Sequence, residues 1–515
     1  MDRRSFVKAL LLTGFAAPTL LERLSAVAEA AGTKVLRMGY SSDVQTLDPI
    51  KTVFGPDILS QGMLFERLLK ANADRTEVGP GLAEKWDISE DGKIYTFYLR
   101  PGLKFSDGSP LTAEDVAFSF NRMRFQKDTA YAGPFQPLTK IEVVDATTVR
   151  MTLDRKFPPF LTLCEIWNSG IVSKATVEKM GDEAFGKNPA VTSGPMKFVE
   201  WKVGDRVMMA RNENYYRAGL PKLDGLEFIY VPDDNTRVAM LQAGELDVTV
   251  WVPFARMQEL KDAGINAVAE TSSITYDMLI NHEGEPFNNL KFRQAISNGI
   301  DRQGICDSVA IGNGVPATSI FSPSLDFFDK SLPVIARDVA KAKALLAESG
   351  VASPSFELII NAGVSDEEKT AVLIQSQLAE VGITMTVAKI DPGQAWTQLV
   401  DGKYQAMLNW WYNETRDPDN AVRWCIWGAG DNKSYYTRYN NAEVNKLIDE
   451  AASETDAAKR ATLYAQIQKI AVDEVAQVAL YHPAWTSARA AKVKNLTLNV
   501  GFQFSSLDET DMVEG

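Results

Sequence analysis

Histidine is nearly absent: His282 and His482 are the only two in 515 residues. A Ser-His-Asp or Cys-His engine is therefore left with almost no base, and two histidines so far apart read as structural groups. Cysteine is just as scarce. Cys164, Cys306 and Cys425 are too few and too widely spaced for a zinc or redox motif, and an odd number cannot pair completely within one chain. The choice lies between one disulfide and three free thiols. Long apolar runs are missing beyond the N-terminal segment, where none approaches the ~18 residues of a membrane span. Basic clusters are missing too, so nothing offers the positive footprint that nucleic acid needs. The balance is acidic, 54 Lys and Arg against 67 Asp and Glu for a net −13, which repels polyphosphate and anionic lipid. Nucleic acid and membrane are set aside as partners, and no cofactor or metal is expected.

What is present begins with an export address. Asp2-Arg3-Arg4-Ser5-Phe6-Val7-Lys8 precedes a modest apolar stretch and the small-residue run Ala26-Val27-Ala28-Glu29-Ala30. The paired arginines, hydroxyl residue, Phe6 and Lys8 read as a twin-arginine signal, and Ala28 with Ala30 gives the A-x-A cleavage pattern, so residues 1–30 are expected to be removed. The other reading, a basic n-region on an ordinary secretory signal, leaves the destination unchanged: the periplasm. No cysteine able to accept lipid lies near the cut, and a free, soluble monomer is expected. The leader carries four basic and three acidic residues, leaving the mature chain one charge more negative than the whole. That chain, 31–515, exceeds the length over which one hydrophobic core keeps growing and calls for at least two lobes.

From Phe356 to Trp411 the pattern alternates: apolar Phe356 to Ile360, a helix, apolar Ile383 to Ile390, a shorter helix, then Tyr404 to Trp411. Ser365 and Glu368 suit a capping box at the start of the first helix, and Gly382 suits its end, where positive φ is useful. Alternation of this kind implies a largely parallel sheet covered by helices. A second unit runs from a strand at Leu226 to Val231, through Asp234 and a helix to Leu241, then Gly244 and a strand at Leu246 to Trp251. Two separated α/β units predict two lobes. The texture N-terminal to them differs: Trp86-Asp87-Ile88-Ser89, the turn Glu90-Asp91-Gly92 and the alternating strand Ile94 to Leu99 read as a hairpin. A helix follows, capped by Thr112 and Asp115, with Val116, Phe120 and Met123 on one face. No repeat, low-complexity tract or Pro-rich linker intervenes, so short strands crossing a hinge are expected to join the lobes.

Several motifs recur along this frame: Leu47-Asp48-Pro49; LAEKWDISEDGKIYTFYLRPGLKFSDGSPLTAEDVAFSF from Leu82 to Phe120; Ser193-Gly194-Pro195; and Asn214-Tyr215-Tyr216 before Pro221-Lys222-Leu223-Asp224. LQAGELDV from Leu241, PFNNLKFRQAISNGIDR from Pro286, and Asp417-Pro418-Asp419 after Trp410-Trp411 complete the set. In this order and spacing the chain resembles, over nearly all of its mature length, the peptide and nickel branch of the solute-binding proteins serving ABC importers, bacterial extracellular family 5. The resemblance implies an α/β, two-lobe periplasmic-binding-protein clamp (type II, cluster C) with an extra N-terminal subdomain. Lobe I would comprise 31–272 plus 487–515, with the subdomain inserted at about 55–190, and lobe II 273–486. It implies a binding protein and no enzyme, one that captures a peptide or other small amine-bearing solute and delivers it to a membrane permease. Most of the motif residues are read as fold-keeping.

Independently of the family, open α/β sheets bind ligands beyond the carboxyl ends of their strands. Three loops qualify: Ser41, Ser42 and Asp43 after the strand ending at Tyr40; Val252 and Pro253 after Trp251; and Tyr412, Asn413 and Glu414 after Trp411. Tyr40, Trp251, Trp411 and Tyr412 would wall side-chain pockets, and since Trp410 and Trp411 alternate across their strand, only one, taken as Trp411, should face the cleft. Backbone at Tyr412 and Asn413, and at Ser41 to Asp43, would pair with an extended ligand as an added strand. In peptide-binding relatives the acid of a W-x-x-D pattern receives the ligand's ammonium, and the resemblance puts Glu414 in that place. Dipeptide-specific relatives also set an arginine after the strand matching Phe356 to Ile360, where this chain reads Asn361-Ala362-Gly363-Val364. Arg416 or Arg423 would have to substitute, and a longer peptide, an amino-sugar conjugate or another amine-bearing solute fits as well as a dipeptide. A nickel complex finds no histidine in the three loops. Rival readings are a secreted hydrolase with Glu414 and Asp43 as its carboxylate pair, and a ligand-presenting receptor or chaperone.

Overall fold

The computed structural model describes residues 34–52, 54–71, 77–430, 433–497 and 507–513; the export segment lies outside them. Two large sheets organise the chain. One has seven strands in the order Asn266–Glu270, Trp485–Arg489, Val248–Val250, Val35–Tyr40, Gly225–Tyr230, Arg206–Arg211 and Met196–Lys202. The other has six, in the order Gly314–Pro316, Val478–Pro483, Thr275–Ile280, Ala406–Trp411, Ser355–Asn361 and Thr384–Ile390. Val35–Tyr40 runs parallel to Gly225–Tyr230 and to Val248–Val250. Ser355–Asn361 runs parallel to Thr384–Ile390 and to Ala406–Trp411. These are the α/β units that the sequence pattern predicts. The other pairings are antiparallel, so both sheets are mixed rather than largely parallel. The added strands arrive by hairpins or from the opposite sheet, and no helical crossover forces parallel pairing on them.

The chain passes between the sheets at two close points. Only residues 271–274 separate Asn266–Glu270 from Thr275–Ile280, and Ala484 alone separates Val478–Pro483 from Trp485–Arg489. Ser272 Oγ donates to the Pro483 carbonyl at 2.5 Å, tying the crossings together. Trp251, Trp410 and Trp485 cluster beside them, with ring centroids 4.4 Å apart for Trp251 and Trp485 and 4.7 Å for Trp251 and Trp410.

A separate antiparallel sheet, Ala83–Ile88, Ile94–Leu99, Thr148–Leu153 and Leu138–Asp145, carries the predicted hairpin, whose turn closes at Gly92 with φ 69°. The helix Ala113–Phe125 covers it, and Thr112 N donates to the Asp115 carboxylate at 3.0 Å at its start. Its core is continuous with the helices behind the six-stranded sheet, where Trp424, Ile448 and Tyr464 are buried. All three cysteines are buried and unpaired. His482 is buried and His282 half-buried. His282 Nε2 lies 2.9 Å from the Ala476 carbonyl and His482 Nδ1 3.2 Å from that of Ile274. Burial pushes their pKa values down to about 3 and about 4, holding both rings neutral. Among the described residues, no group of His, Cys, Asp and Glu is arranged to hold a metal ion, and no helix is long and apolar enough to cross a membrane.

Candidate ligand cleft

The carboxyl ends of the parallel strands in both sheets face one cavity of about 1320 Å³ of empty space, its open mouth included. From the seven-stranded side come Tyr40, Ser41, Ser42, Trp251 and Val252; from the six-stranded side come Asn361, Trp410, Trp411 and Tyr412. Of the predicted contact residues, Tyr40, Ser41, Ser42, Trp251, Trp411 and Tyr412 therefore meet on one wall. Trp410 joins them, contrary to the expectation that strand alternation would turn it away. The cavity closes over the end of Ala406–Trp411 instead of one face, so residues of both parities reach it.

Asp43, Asn413 and Glu414 stand behind this wall. Asp43 accepts from Trp201 Nε1 at 3.2 Å and from the Gly204 amide at 2.6 Å, bracing the neighbouring hairpin turn. Asn413 is 1 % exposed. Its amide donates to Ser273 Oγ at 2.9 Å and its carbonyl accepts from the same hydroxyl at 2.7 Å, so its backbone is already occupied and an added strand cannot use it. Glu414 is 1 % exposed, accepting from Trp167 Nε1 at 3.3 Å and from the Asn420 amide. Trp167 lies on the segment leading from the four-stranded sheet, and Tyr131 of the same region donates to Asn420. Glu414 thus joins the region that follows the four-stranded sheet to the loop after Ala406–Trp411, beside the cavity. Nor do Asp43 and Glu414 face each other across it, and the hydrolase pair is not assembled.

The wall contains groups that sequence reasoning did not reach. After Gly225–Tyr230 come Asp234 and Arg237; after Ser355–Asn361 come Val364, Asp366 and Glu367; after Thr384–Ile390 come Pro392 and Trp396. Every one follows a strand's carboxyl end, the rule already applied to three loops, and applying it to every parallel strand would have found them. The helix Ser365–Val381 buries Thr370, Ala371, Ile374, Leu378 and Val381 at helical spacing and ends at Gly382 with φ 97°. Its start departs from the capping box. The N-cap is Val364, and Glu368 pairs with Lys389 at 2.9 Å. Ser365 instead gives its amide (3.1 Å) and hydroxyl (2.8 Å) to Asp234 of the other half. A carboxylate from across the cleft is a stronger acceptor than a local cap. The Asp234 amide returns a bond to the Gly363 carbonyl at 3.2 Å.

Charge on the wall is uneven. Glu367 accepts from the Asn361 amide (2.6 Å), the Asn361 side chain (2.8 Å) and Tyr276 Oη (2.9 Å), yet burial still lifts its pKa to about 7. Burial also lifts Asp366 to about 6, against a weak bond from the Phe254 amide at 3.5 Å. Arg237 is 2 % exposed and gives Nη1 to the carbonyls of Val231 (2.8 Å) and Pro232 (2.9 Å). Burial lowers its pKa to about 10, opposed by Asp234 and Asp233. Arg416 and Arg423 do not reach the wall: Arg416 pairs with Asp326 at 3.1 Å, and Arg423 with Asp419 and Asp449 at 3.0 Å each.

A family model described as bacterial extracellular solute-binding proteins, family 5 middle, matches residues 77–433. Among curated relatives, heme-binding protein A of Haemophilus influenzae is 29 % identical over 478 residues, 86 % of this chain and 87 % of that one. The glutathione-binding protein GsiB of Escherichia coli O1:K1 is 30 % identical over 497 residues, 93 % of this chain and 95 % of the other. Among solved structures, a dipeptide-binding protein of Pseudoalteromonas sp. SM9913 in complex with Met-Leu superposes with a TM-score of 0.86 at 25 % identity, covering 93 % of this chain and all of that one.

Proposed function

Because the chain belongs to the bacterial extracellular solute-binding proteins of family 5, we propose that it is the solute-binding component of an ABC importer. In this reading it works in the periplasm as a free monomer, exported by the twin-arginine leader, and hands its ligand to a membrane permease without altering it. The ligand is a peptide or another small amine-bearing solute, in keeping with relatives named for glutathione and dipeptides. Lobe I is taken as 31–272 plus 487–515, carrying the inserted subdomain at about 55–190, and lobe II as 273–486, with Trp485 and Thr486 belonging by their pairing to the seven-stranded sheet of lobe I. The hinge is the pair of crossings at 271–274 and Ala484.

The observation that carries this reading is the shared cavity, walled by aromatic rings and strand ends from both sheets. Tyr40, Ser41, Ser42, Trp251, Trp411 and Tyr412 touch the ligand; Asp43, Asn413 and Glu414 hold the wall in place from behind. A ligand that completes contacts on both sides binds the closed form better than the open one and shifts the population toward it, and the closed shape is what the permease reads. Native mass spectrometry of protein taken from the periplasm is expected to find an intact co-purified solute, and X-ray scattering a smaller radius of gyration with that solute than without it. An identical radius in both states, or recovery of a cleaved solute, would overturn the proposal.

A further inference from the structure

The cleft wall has polar atoms that the protein itself leaves unfilled. Tyr40 Oη and Trp411 Nε1, in side chains only 5 % and 6 % exposed, have no hydrogen-bond partner among the described residues, and neither has Asp366 Oδ1. All three residues line the same cavity. The wall's other carboxylates are served from within: Asp234 by Ser365 and Asn235, Glu367 by Asn361 and Tyr276. Among the described residues the one bond to the Asp366 carboxylate, from the Phe254 amide, is 3.5 Å long. A carboxylate withdrawn from water without donors is costly, and it is relieved by a neutralising proton or by a positive group.

The surroundings select between these. Asp234 approaches Asp366 from the other half and opposes its ionisation, Glu367 is its chain neighbour, and Lys369 is the cation that favours its charge. Arg237, the only Lys or Arg on the described wall, gives its bonds to two carbonyls. The wall therefore carries three acids against one base, in a cavity also lined by Trp251, Trp396 and Trp410, and aromatic rings attract cations. Resting on the two-lobe reading above, we infer that Asp366 is the specificity-determining acceptor for a protonated amine of the ligand. Glu414, buried behind the wall with its own donors, does not take that part. The amine also screens Asp234 from Asp366 across the seam, so a cationic ligand favours closure where its neutral analogue does not.

The test uses two probes: a synthetic mixture of di- to hexapeptides free of Arg and His, and the same mixture with every amine acetylated. The full-length mature protein is expected to retain members of the first mixture roughly tenfold or more tightly than their acetylated counterparts. Asp366→Asn should lose that preference and Asp366→Glu should keep it, while Trp411→Ala should weaken both mixtures alike. Equal retention of the two mixtures by the unmodified protein, or a preference that survives Asp366→Asn, overturns the inference. If Trp411→Ala still weakens binding in that case, the cleft reading stands alone. A protein that retains neither mixture overturns the peptide reading, and this inference with it.

Discussion

The two sides of the molecule meet beside the cavity at two seams built on opposite lines. At one, Glu414 is fully buried but receives Trp167 and Asn420, while Tyr131 binds Asn420 and lies tilted against Trp167 and Trp424, with ring centroids 5.2 and 5.1 Å away. At the other, residues 363–366 meet Asp234 and Phe254, and Asp366 is left with an unfilled oxygen. At the first seam the buried carboxylate has its donors without a ligand, and at the second the carboxylate keeps an unfilled oxygen. Local completeness favours stability, and local deficiency favours response to whatever enters the cavity.

The largest expected effect belongs to the packed rings of the first seam. Trp411 is 6 % exposed and stacks on Trp424 at 5.3 Å and on Tyr412 at 5.9 Å. Trp411→Ala should cost about 3–5 kcal/mol of folding stability, because the cavity it leaves adds to the lost burial. Urea unfolding measures this, and a loss under about 1 kcal/mol would show that the ring is not part of the packed seam. Glu414→Ala comes next. It strands the N–H groups of Trp167 and Asn420 inside the protein, at about 2–3 kcal/mol. Affinity for charged and acetylated peptides should fall by the same factor, since the loss acts through closure. A selective loss for charged peptides would reverse the roles assigned to the seams.

Gly363→Ala probes the incomplete seam without touching charge. Its φ is 83°, and an added Cβ would lie 3.2 Å from Asp233 Cα and from the Pro232 carbonyl oxygen. Strain of about 1–2 kcal/mol falls on the closed form. Scattering should show a larger radius at a given ligand concentration, with the preference for free amines retained. A radius unchanged by the substitution would mean that these loops separate little on opening.

The difference between the seams also marks how far the sequence could be read. Strands and turns follow local rules: the strand expected to end at Tyr40 does end there, and Gly92, Gly244 and Gly382 all adopt positive φ. Asp43, Asn413 and Glu414 lie behind the wall, because a loop position does not say on which side of the loop a side chain packs. Glu414 meets Trp167, 247 residues away, and no local pattern signals such a pair. Ser365 fits a capping motif in sequence, yet its partner Asp234 lies 131 residues away. Long-range acceptors override local propensity most easily where two halves meet, and that is where the cavity opens.

Titration gives the smallest and most discriminating effect. The folded-state pKa of Asp366 is raised to about 6, with burial the first cause and Asp234 opposing ionisation. A raised carboxyl stabilises the fold while protonated. That contribution is fully present below the unfolded pKa of about 4 and is lost as pH rises through about 6. Partial exposure and the Phe254 amide reduce the effect to about 1 kcal/mol. Asp366→Asn should therefore be more stable than the parent protein at pH 8, and the gap should close by pH 4. Ligand binding runs the other way. An amine needs the ionised carboxylate and its own proton, so affinity for free-amine peptides should peak near pH 7, decline above about pH 8 as the α-amine deprotonates, and fall as pH drops through 6, a low-pH slope the acetylated peptides and Asp366→Asn both lack. Glu367, raised to about 7 by burial but bonded to Asn361 and Tyr276, is the group most able to imitate the stability trend. Glu367→Gln separates them: it should flatten stability around pH 7 and leave the slope in binding near pH 6 in place. A binding slope that disappears with Glu367→Gln and survives Asp366→Asn would move the amine acceptor to Glu367.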